Sequence, residues 1–155
     1  MYGEGVSPRI AAWLAAAALV LVPVGAPAAA SGWGNKPKPV KAPKDGGQYD
    51  GNHNLVIYIS GKSISAVFFD FRCDGTIGRT GLNDIKLEKT KKGYRFGIKA
   101  HGSITFRDGT PDENGAVDVS GRFGRRAKTV SGHFRVNSPH CGDTGAISFN
   151  GSLAH

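Results

Sequence analysis

The sequence is poor in the residues that build metal centres and thiol chemistry. It contains two cysteines and one methionine, and no Cys-x-x-Cys pair. The Gly-x-Ser-x-Gly turn that carries the nucleophile of many hydrolases is also absent. Because neither Cys-rich metal sites nor this nucleophile turn can be built, we predict a protein that is not an enzyme and that holds no metal and no cofactor.

Acidic residues are scarce compared with basic ones. The chain has 12 Asp and Glu against 20 Lys and Arg, which gives a formal net charge of +8. A positive surplus of this size favours adhesion to anionic surfaces and polymers, but it does not by itself identify a ligand.

The longest apolar run is too short to span a bilayer. Arg9 precedes apolar residues 10–24, about fifteen residues where a membrane helix needs about 20. Ala28 and Ala30 then supply the small residues that precede signal cleavage. We predict a signal peptide over residues 1–30 and a secreted protein, extracellular or cell-wall associated, with no membrane span after cleavage. An uncleaved N-terminal anchor is the alternative.

The predicted export bears on the redox state of the two cysteines. An even number of cysteines outside the cytoplasm usually forms disulfides, so we predict a Cys73–Cys141 bond. A reactive thiol or a metal pair is the less favoured alternative.

Residues 31–52 read as a linker. Proline alternates with lysine between Asn35 and Lys44, which predicts an extended, polyproline-like segment. It could serve as a solvated linker or as a cationic arm that contacts an anionic wall polymer. The β domain is expected over residues 53–155.

Short β-branched and aromatic runs broken by turn residues fill this domain, and helical periodicity is missing. The predicted strands cover residues 55–60, 63–73, 84–89, 94–99, 103–107, 116–123, 129–136 and 146–153. About eight short strands predict an all-β fold, an antiparallel β-sandwich or barrel with one disulfide.

Three strand segments place glycine on the face that carries their apolar residues. Val119 to Phe123, Val130 to Phe134 and Phe149 to Leu153 share this form. We interpret these glycines as core geometry that leaves room for a neighbouring aromatic ring or a closely packed second sheet. The pairing of the first two segments stays open, because Gly121 can face either Gly132 or Val130 with apolar residues inside.

Several of these motifs together resemble a class of secreted all-β domains frequent in actinobacteria. The motifs are Tyr49-Asp-Gly51, Phe71-Arg-Cys73, Ile104 to Gly109, Val-x-Gly-x-Phe, Gly132 to Arg135 and Cys141 to Gly145. The resemblance covers residues 48–155 and implies an all-β fold with one Cys pair. It implies no activity and no active-site residues.

Two kinds of chemistry have candidate residues but weak patterns. A small hydrolase could use His101, His133 or His140, the last two lying two residues after Ser131 and Ser138. Calcium could be held in the polar stretch 107–119, which departs from the EF-hand pattern and which we interpret as a long hairpin connection. Its candidate ligands are Asp108, Asp112, Asn114 and Asp118.

The basic clusters are the strongest functional indication. We expect polyanion-binding residues on two hairpins, namely Arg122, Arg125, Arg126, Lys128, Arg135, Lys89, Lys91 and Lys92. The leading hypothesis is a non-enzymatic module that binds an anionic wall polymer or glycan at the cell envelope. A solubilising surface and a protein-contact domain, such as an inhibitor or adhesion unit, are the alternatives. Nucleic acid is disfavoured because no aromatic residues interleave with these charges.

Overall fold

The computed structural model describes residues 38–155. The predicted signal peptide and the first part of the predicted linker lie outside these residues. The strands are β1 (Gln48–Gly51), β2 (Val56–Ser60), β3 (Ser63–Cys73), β4 (Thr76–Lys86), β5 (Glu88–Thr90), β6 (Gly93–Phe106), β7 (Pro111–Phe123), β8 (Thr129–Ser138), β9 (Gly142–Asp143) and β10 (Ile147–Leu153).

The strands form one antiparallel sheet that closes on itself. The ring runs β1-β2-β3-β4-β6-β7-β8-β10 and returns to β1, while β5 and β9 add to β6 and β8. The short strand β1 closes it, because Tyr49 lies opposite Ile57 of β2 on one side and Leu153 of β10 on the other. The all-β prediction is confirmed, and of its two alternatives the structure is a barrel with eight strands in the closed ring.

Three segments predicted as loop or linker are strands. Residues 76–83 belong to β4, although Gly78 and Gly81 read as turn residues. Residues 111–115 begin β7, so the connection expected over 107–119 is a short turn. β1 lies inside the predicted linker, and the folded unit therefore begins before residue 53. In each case ring pairing outweighs a polar or glycine-rich local sequence.

Aromatic side chains fill the interior in three layers. Tyr49, Phe123 and Phe96 form one, with Tyr49 and Phe123 centroids 4.9 Å apart. Phe69 stacks on Phe134 at 4.0 Å in the middle layer. Phe71 and Phe106 form the third, at 6.1 Å. Eight strands enclose just enough space for side chains to fill, and these residues are almost fully buried.

Glycines lie directly opposite the phenylalanines that need space. Phe96 pairs with Gly121 and Phe149 pairs with Gly132. A Cβ added at Gly121 would lie 2.6 Å from Cζ of Phe96, and one at Gly132 would lie 2.6 Å from Cζ of Phe149. This confirms that Gly121 and Gly132 belong to the core geometry, where each ring covers the bare backbone across from it, whereas Gly151 of the third segment lies opposite Val130.

The open register and the cysteine pairing are both resolved. Phe123 lies opposite Val130, which sets Gly121 against Gly132 and Asp118 against Arg135. Cys73 and Cys141 form the predicted disulfide. It ties the end of β3 to the connection between β8 and β9.

Replacing Gly121 by alanine tests the glycine–aromatic pairing. We expect Gly121→Ala to destabilise the fold by about 1–3 kcal/mol, because the new methyl group overpacks against Phe96. Gly97→Ala is the matched control in the neighbouring strand, where the nearest side-chain atom to a new Cβ is 3.7 Å away. Urea unfolding of both variants measures the difference, and equal stabilities would contradict this account of the core.

Candidate functional site

The closed ring determines at which end of the barrel each connection, with its charged residues, lies. The registers bring the β2–β3, β5–β6 and β7–β8 connections to the same end, together with the start of β1 and the end of β10. The chain before β1 also arrives there. We call this the cationic end. Its exposed basic residues are Lys38, Lys41, Lys44, Lys62, Lys86, Lys89, Lys91, Lys92, Arg125, Arg126 and Lys128.

Two acidic side chains at this end, Asp45 and Glu88, are already engaged. Asp45 accepts a hydrogen bond from the backbone N–H of Gly61 at 2.7 Å. Glu88 forms an ion pair with Arg95 at 2.6 Å. Within residues 38–155, the carboxylates gather instead around the opposite end, namely Asp74, Asp108, Asp112, Glu113 and Asp143. The cationic end therefore carries concentrated positive charge, whereas the opposite end is mixed, with the exposed Arg72 and Arg107 beside its carboxylates.

The β7–β8 connection, residues 124–128, is the most tightly built part of the cationic end, and we call it the cationic turn. The N–H of Ala127 donates to the carbonyl of Gly124 at 2.8 Å, and the N–H of Gly124 donates to the carbonyl of Thr129 at 3.0 Å. Ala127 has a φ of +51°, a conformation that a non-glycine residue adopts at some cost. The surrounding contacts must hold the turn in this shape.

Tyr49 provides one of these contacts from inside the barrel. Its fully buried hydroxyl donates to the carbonyl of Ala127 at 2.6 Å. Burial raises the pKa of Tyr49, so the hydroxyl remains protonated as a donor through neutral pH. The N–H of Leu153 in turn donates to the carbonyl of Lys128 at 2.9 Å. The turn is thus fixed by the two strands that close the ring.

The second support comes from the Pro/Lys arm, which we define as residues 38–44. The N–H of Lys41 donates to the carbonyl of Arg125 at 2.9 Å. Nη2 of Arg125 donates to the carbonyl of Lys38 at 2.8 Å. Between arm and turn lies a cleft of about 350 Å³, lined by Lys38, Pro39, Lys41, Arg125 and Arg126.

The predicted binding residues fall into three places. Lys89, Lys91 and Lys92 on the β5–β6 hairpin and Arg125, Arg126 and Lys128 in the turn all belong to the cationic end. Arg122 lies on the outer face just beside it, opposite Arg95. Arg135 lies about 17 Å along β8 from Val130, at five residues of about 3.4 Å each.

Arg135 is the one predicted residue whose charge is compensated. It forms an ion pair with Asp143 of β9. The structure thus separates Arg135 from the other seven. The list of predicted binding residues leaves out the arm lysines, Lys62 and Lys86. The alternation of Pro and Lys did indicate a cationic arm, and Lys86 belongs to the same basic stretch as Lys89, whereas nothing local marks Lys62.

A lateral groove of about 820 Å³ runs along the outside of β6, β7, β8 and β10. Arg95 and Arg122 flank it near the cationic end. His133 lies in it between Ser120 and Ser148, its neighbours in register. Within the described residues, the His133 side chain makes no hydrogen bond to either serine.

The second Ser–His pair is built into the protein framework. The buried Ser138 hydroxyl donates to Asp112 and also accepts the backbone N–H of His140. The hydrogen bond from Ser138 lowers the pKa of Asp112 despite the opposing effect of burial. The His140 ring packs on Phe106 with centroids 4.5 Å apart. These contacts anchor the end of β8.

The residues weighed as calcium ligands are dispersed. Asp112 is bound to Ser138, and Asp118 forms an ion pair with Lys99 at 3.1 Å. Asp108 accepts the N–H of Thr110 within its own turn. In residues 38–155 no group of three or more His, Cys, Asp or Glu side chains is placed to hold a metal ion.

No protein-family model, curated protein or solved structure matches this chain. In the part of the chain that the structure describes, no helix has the length and apolar character needed to cross a membrane. The disulfide is typical of a non-cytoplasmic environment.

Removing the Tyr49 hydroxyl tests how the cationic turn is held. We expect Tyr49→Phe to lower the free energy of unfolding by about 1–3 kcal/mol, because the buried Ala127 carbonyl loses its side-chain donor. Tyr58→Phe is the control, since Tyr58 is 40% exposed and lies on the outer face. Chemical denaturation measures both, and a Tyr49→Phe protein as stable as Tyr58→Phe would contradict this role.

The pair formed by Arg135 and Asp143 should make stability depend on acid pH. The hydrogen bond from Arg135 lowers the pKa of Asp143 to about 2. A lowered folded-state pKa gives a contribution that is complete above the unfolded value of about 3.9 and disappears as the pH falls towards 2. We expect Asp143→Asn to lower the free energy of unfolding at pH 6, and we expect the difference between wild type and variant to disappear near pH 2. Chemical denaturation across this pH range measures the difference, and a difference that stays constant would contradict the assignment.

Proposed function

We propose that this protein is a secreted, non-enzymatic binding module for an anionic polymer at the cell envelope, and that the cationic end is its binding surface. The observation that carries the proposal is the register between β6 and β7. Tyr94 at the start of β6 lies opposite Phe123 at the end of β7. Two basic hairpins that are separate in sequence therefore meet at one end of the barrel, where the Pro/Lys arm joins them.

The energetics of the cationic end support a ligand. Like charges about 4 Å apart repel by about 1 kcal/mol even in water, and salt screens this only in part. Solubility would be served equally well by cations spread over the surface. Gathering them in one place lowers stability unless an anion binds there, and Asp45 and Glu88 nearby are already engaged.

The filled interior supports a ligand bound outside the barrel. The aromatic layers occupy the space in which wider barrels hold a small molecule. An end of the barrel with cations on several turns suits an extended polymer with repeated negative charges. Arginine adds paired donors that match phosphate, sulfate or carboxylate oxygens.

A salt series tests the proposal. We expect the purified oxidised protein to bind heparin and long-chain inorganic polyphosphate, with affinity falling steeply as salt rises. Arg125→Gln/Arg126→Gln should weaken binding about tenfold near 0.1 M salt and reduce the slope of log affinity against log salt by about 2.

The control removes the same charge elsewhere. Arg72→Gln/Arg107→Gln takes two exposed arginines from the opposite end. If both double variants lose affinity equally, binding follows net charge alone and the cationic end is not a site. If the wild-type protein binds neither polymer more tightly than neutral dextran, the proposed function fails.

A second candidate function rests on the exposed rings of Tyr58 and Phe68. They are 40% and 41% exposed on the outer face of β2 and β3, where Val56 lies opposite Phe68. Exposed neighbouring aromatics favour a protein contact, as in an inhibitor or adhesion unit. This candidate predicts saturable, salt-tolerant binding to one protein that is lost in Tyr58→Ser, whereas Asn150→Ser on β10, two strands away in the ring, leaves it unchanged.

A further inference from the structure

We propose that the Pro/Lys arm is a clasp, and that one anionic group of the polymer binds in the cleft between the arm and the cationic turn. This inference rests on the proposed function and specifies how its site works. The arm would dock more firmly when the ligand is present, and the ligand would bind more tightly when the arm is docked.

The arm is attached to the turn by two hydrogen bonds of opposite direction. Lys41 donates its backbone N–H to the Arg125 carbonyl, and the Arg125 side chain donates to the Lys38 carbonyl. Pro39 lies between them and has no N–H to donate, so the arm cannot extend this pairing into a regular strand. The arm is therefore held to the cationic turn at two points, and Pro43 within it is buried.

The cleft between the arm and the cationic turn is lined by four cations and no carboxylate. Lys38, Lys41, Arg125 and Arg126 line it, all with exposed side chains. Neutral backbone carbonyls hold the arm in place, while the four charges oppose docking. A phosphate or sulfate between arm and turn would reverse the sign of this interaction, because it attracts both sides at once.

Reciprocity then follows from thermodynamic linkage. A ligand that contacts the arm only in its docked state favours that state by its differential affinity, and docking raises ligand affinity by the same factor. The clasp and the polymer site are therefore coupled. A simple cationic patch would show no such coupling.

Limited proteolysis measures docking directly. Trypsin does not cut before proline, and Lys36 and Lys38 are each followed by proline. The bond between Lys41 and Ala42 is therefore the first cleavable lysine bond in this region, and the Lys41 N–H lies in the clasp itself. We expect heparin and long-chain polyphosphate to slow this cut at least fivefold, measured by mass spectrometry, whereas dextran has no effect.

Charge-conserving variants distinguish the effect of the hydrogen bond between Arg125 and the arm from the effect of positive charge. Arg125→Lys keeps the cation but loses the guanidinium that donates to Lys38. We expect it to bind heparin roughly threefold to tenfold more weakly and to lose most of the protection at Lys41. Arg126→Lys is the matched control, since Arg126 lines the same cleft and makes no hydrogen bond to the arm among the described residues.

The outcomes distinguish the two proposals. If the wild-type protein binds neither polymer, the proposed function fails and the clasp fails with it. If the protein binds but Lys41 is cut at the same rate with and without polymer, the clasp alone is overturned. Equal losses of affinity and protection in Arg125→Lys and Arg126→Lys would likewise overturn it, because the arginine–arm hydrogen bond would then have no part in binding.

Discussion

Closure of the ring by the four residues of β1 is the constraint on which the rest of the structure depends. Tyr49 is opposite Ile57 and Leu153, so the strand completes hydrogen bonding on both sides. Its ring also completes an aromatic layer with Phe123, and its hydroxyl reaches the Ala127 carbonyl. One short strand therefore joins sheet closure, core packing and the shape of the cationic turn. A barrel left open at this point would expose two sheet edges and leave the turn without its internal support.

Closure also explains how the charges come to be sorted. In an antiparallel ring each connection lies at one end or the other, so positions far apart in sequence meet when their connections share an end. Lys41, Lys91 and Arg126 lie at the same end for this reason, although Lys41 and Arg126 are 85 positions apart in the sequence. The opposite end receives the Cys73–Cys141 disulfide and five of the eleven Asp and Glu side chains among the described residues. The end that gathers repulsive charges is thus the one stabilised by Tyr49 and the ring-closing strands, and the covalent link lies at the other.

Much of the strand content could be predicted because alternation and turn residues report local structure directly. The bounds of β3 follow from the pattern over Ser63 to Cys73. Residues 76–83 of β4 could not be predicted, because the strand pairing of Gly78 becomes evident only when Phe71 is known to cover it from the neighbouring strand. β1 could not be predicted for a similar reason, since the three polar or small residues around Tyr49 form strand pairs only when β2 and β10 lie beside them. For the candidate site, the basic residues of the two hairpins could be predicted from the sequence. Their location at the same end of the barrel could not, because it depends on the β6–β7 register. Arg135 shows the converse: it belongs to a basic stretch in sequence, yet β9 supplies Asp143 as its partner.

The way the cationic turn is supported bears on how it would bind a ligand. Its contacts run through backbone carbonyls and one buried hydroxyl, so no carboxylate neutralises Arg126 or Lys128 in the folded state among the described residues. An acidic partner would have stabilised the turn equally well, but it would have competed with an anionic ligand for the same guanidinium groups. Neutral contacts fix the backbone and leave the charges available. Because the turn is ordered without a ligand, a polymer that bound there would cost less conformational entropy. The buried glycine–aromatic core stabilises a barrel that carries uncompensated cations at one end.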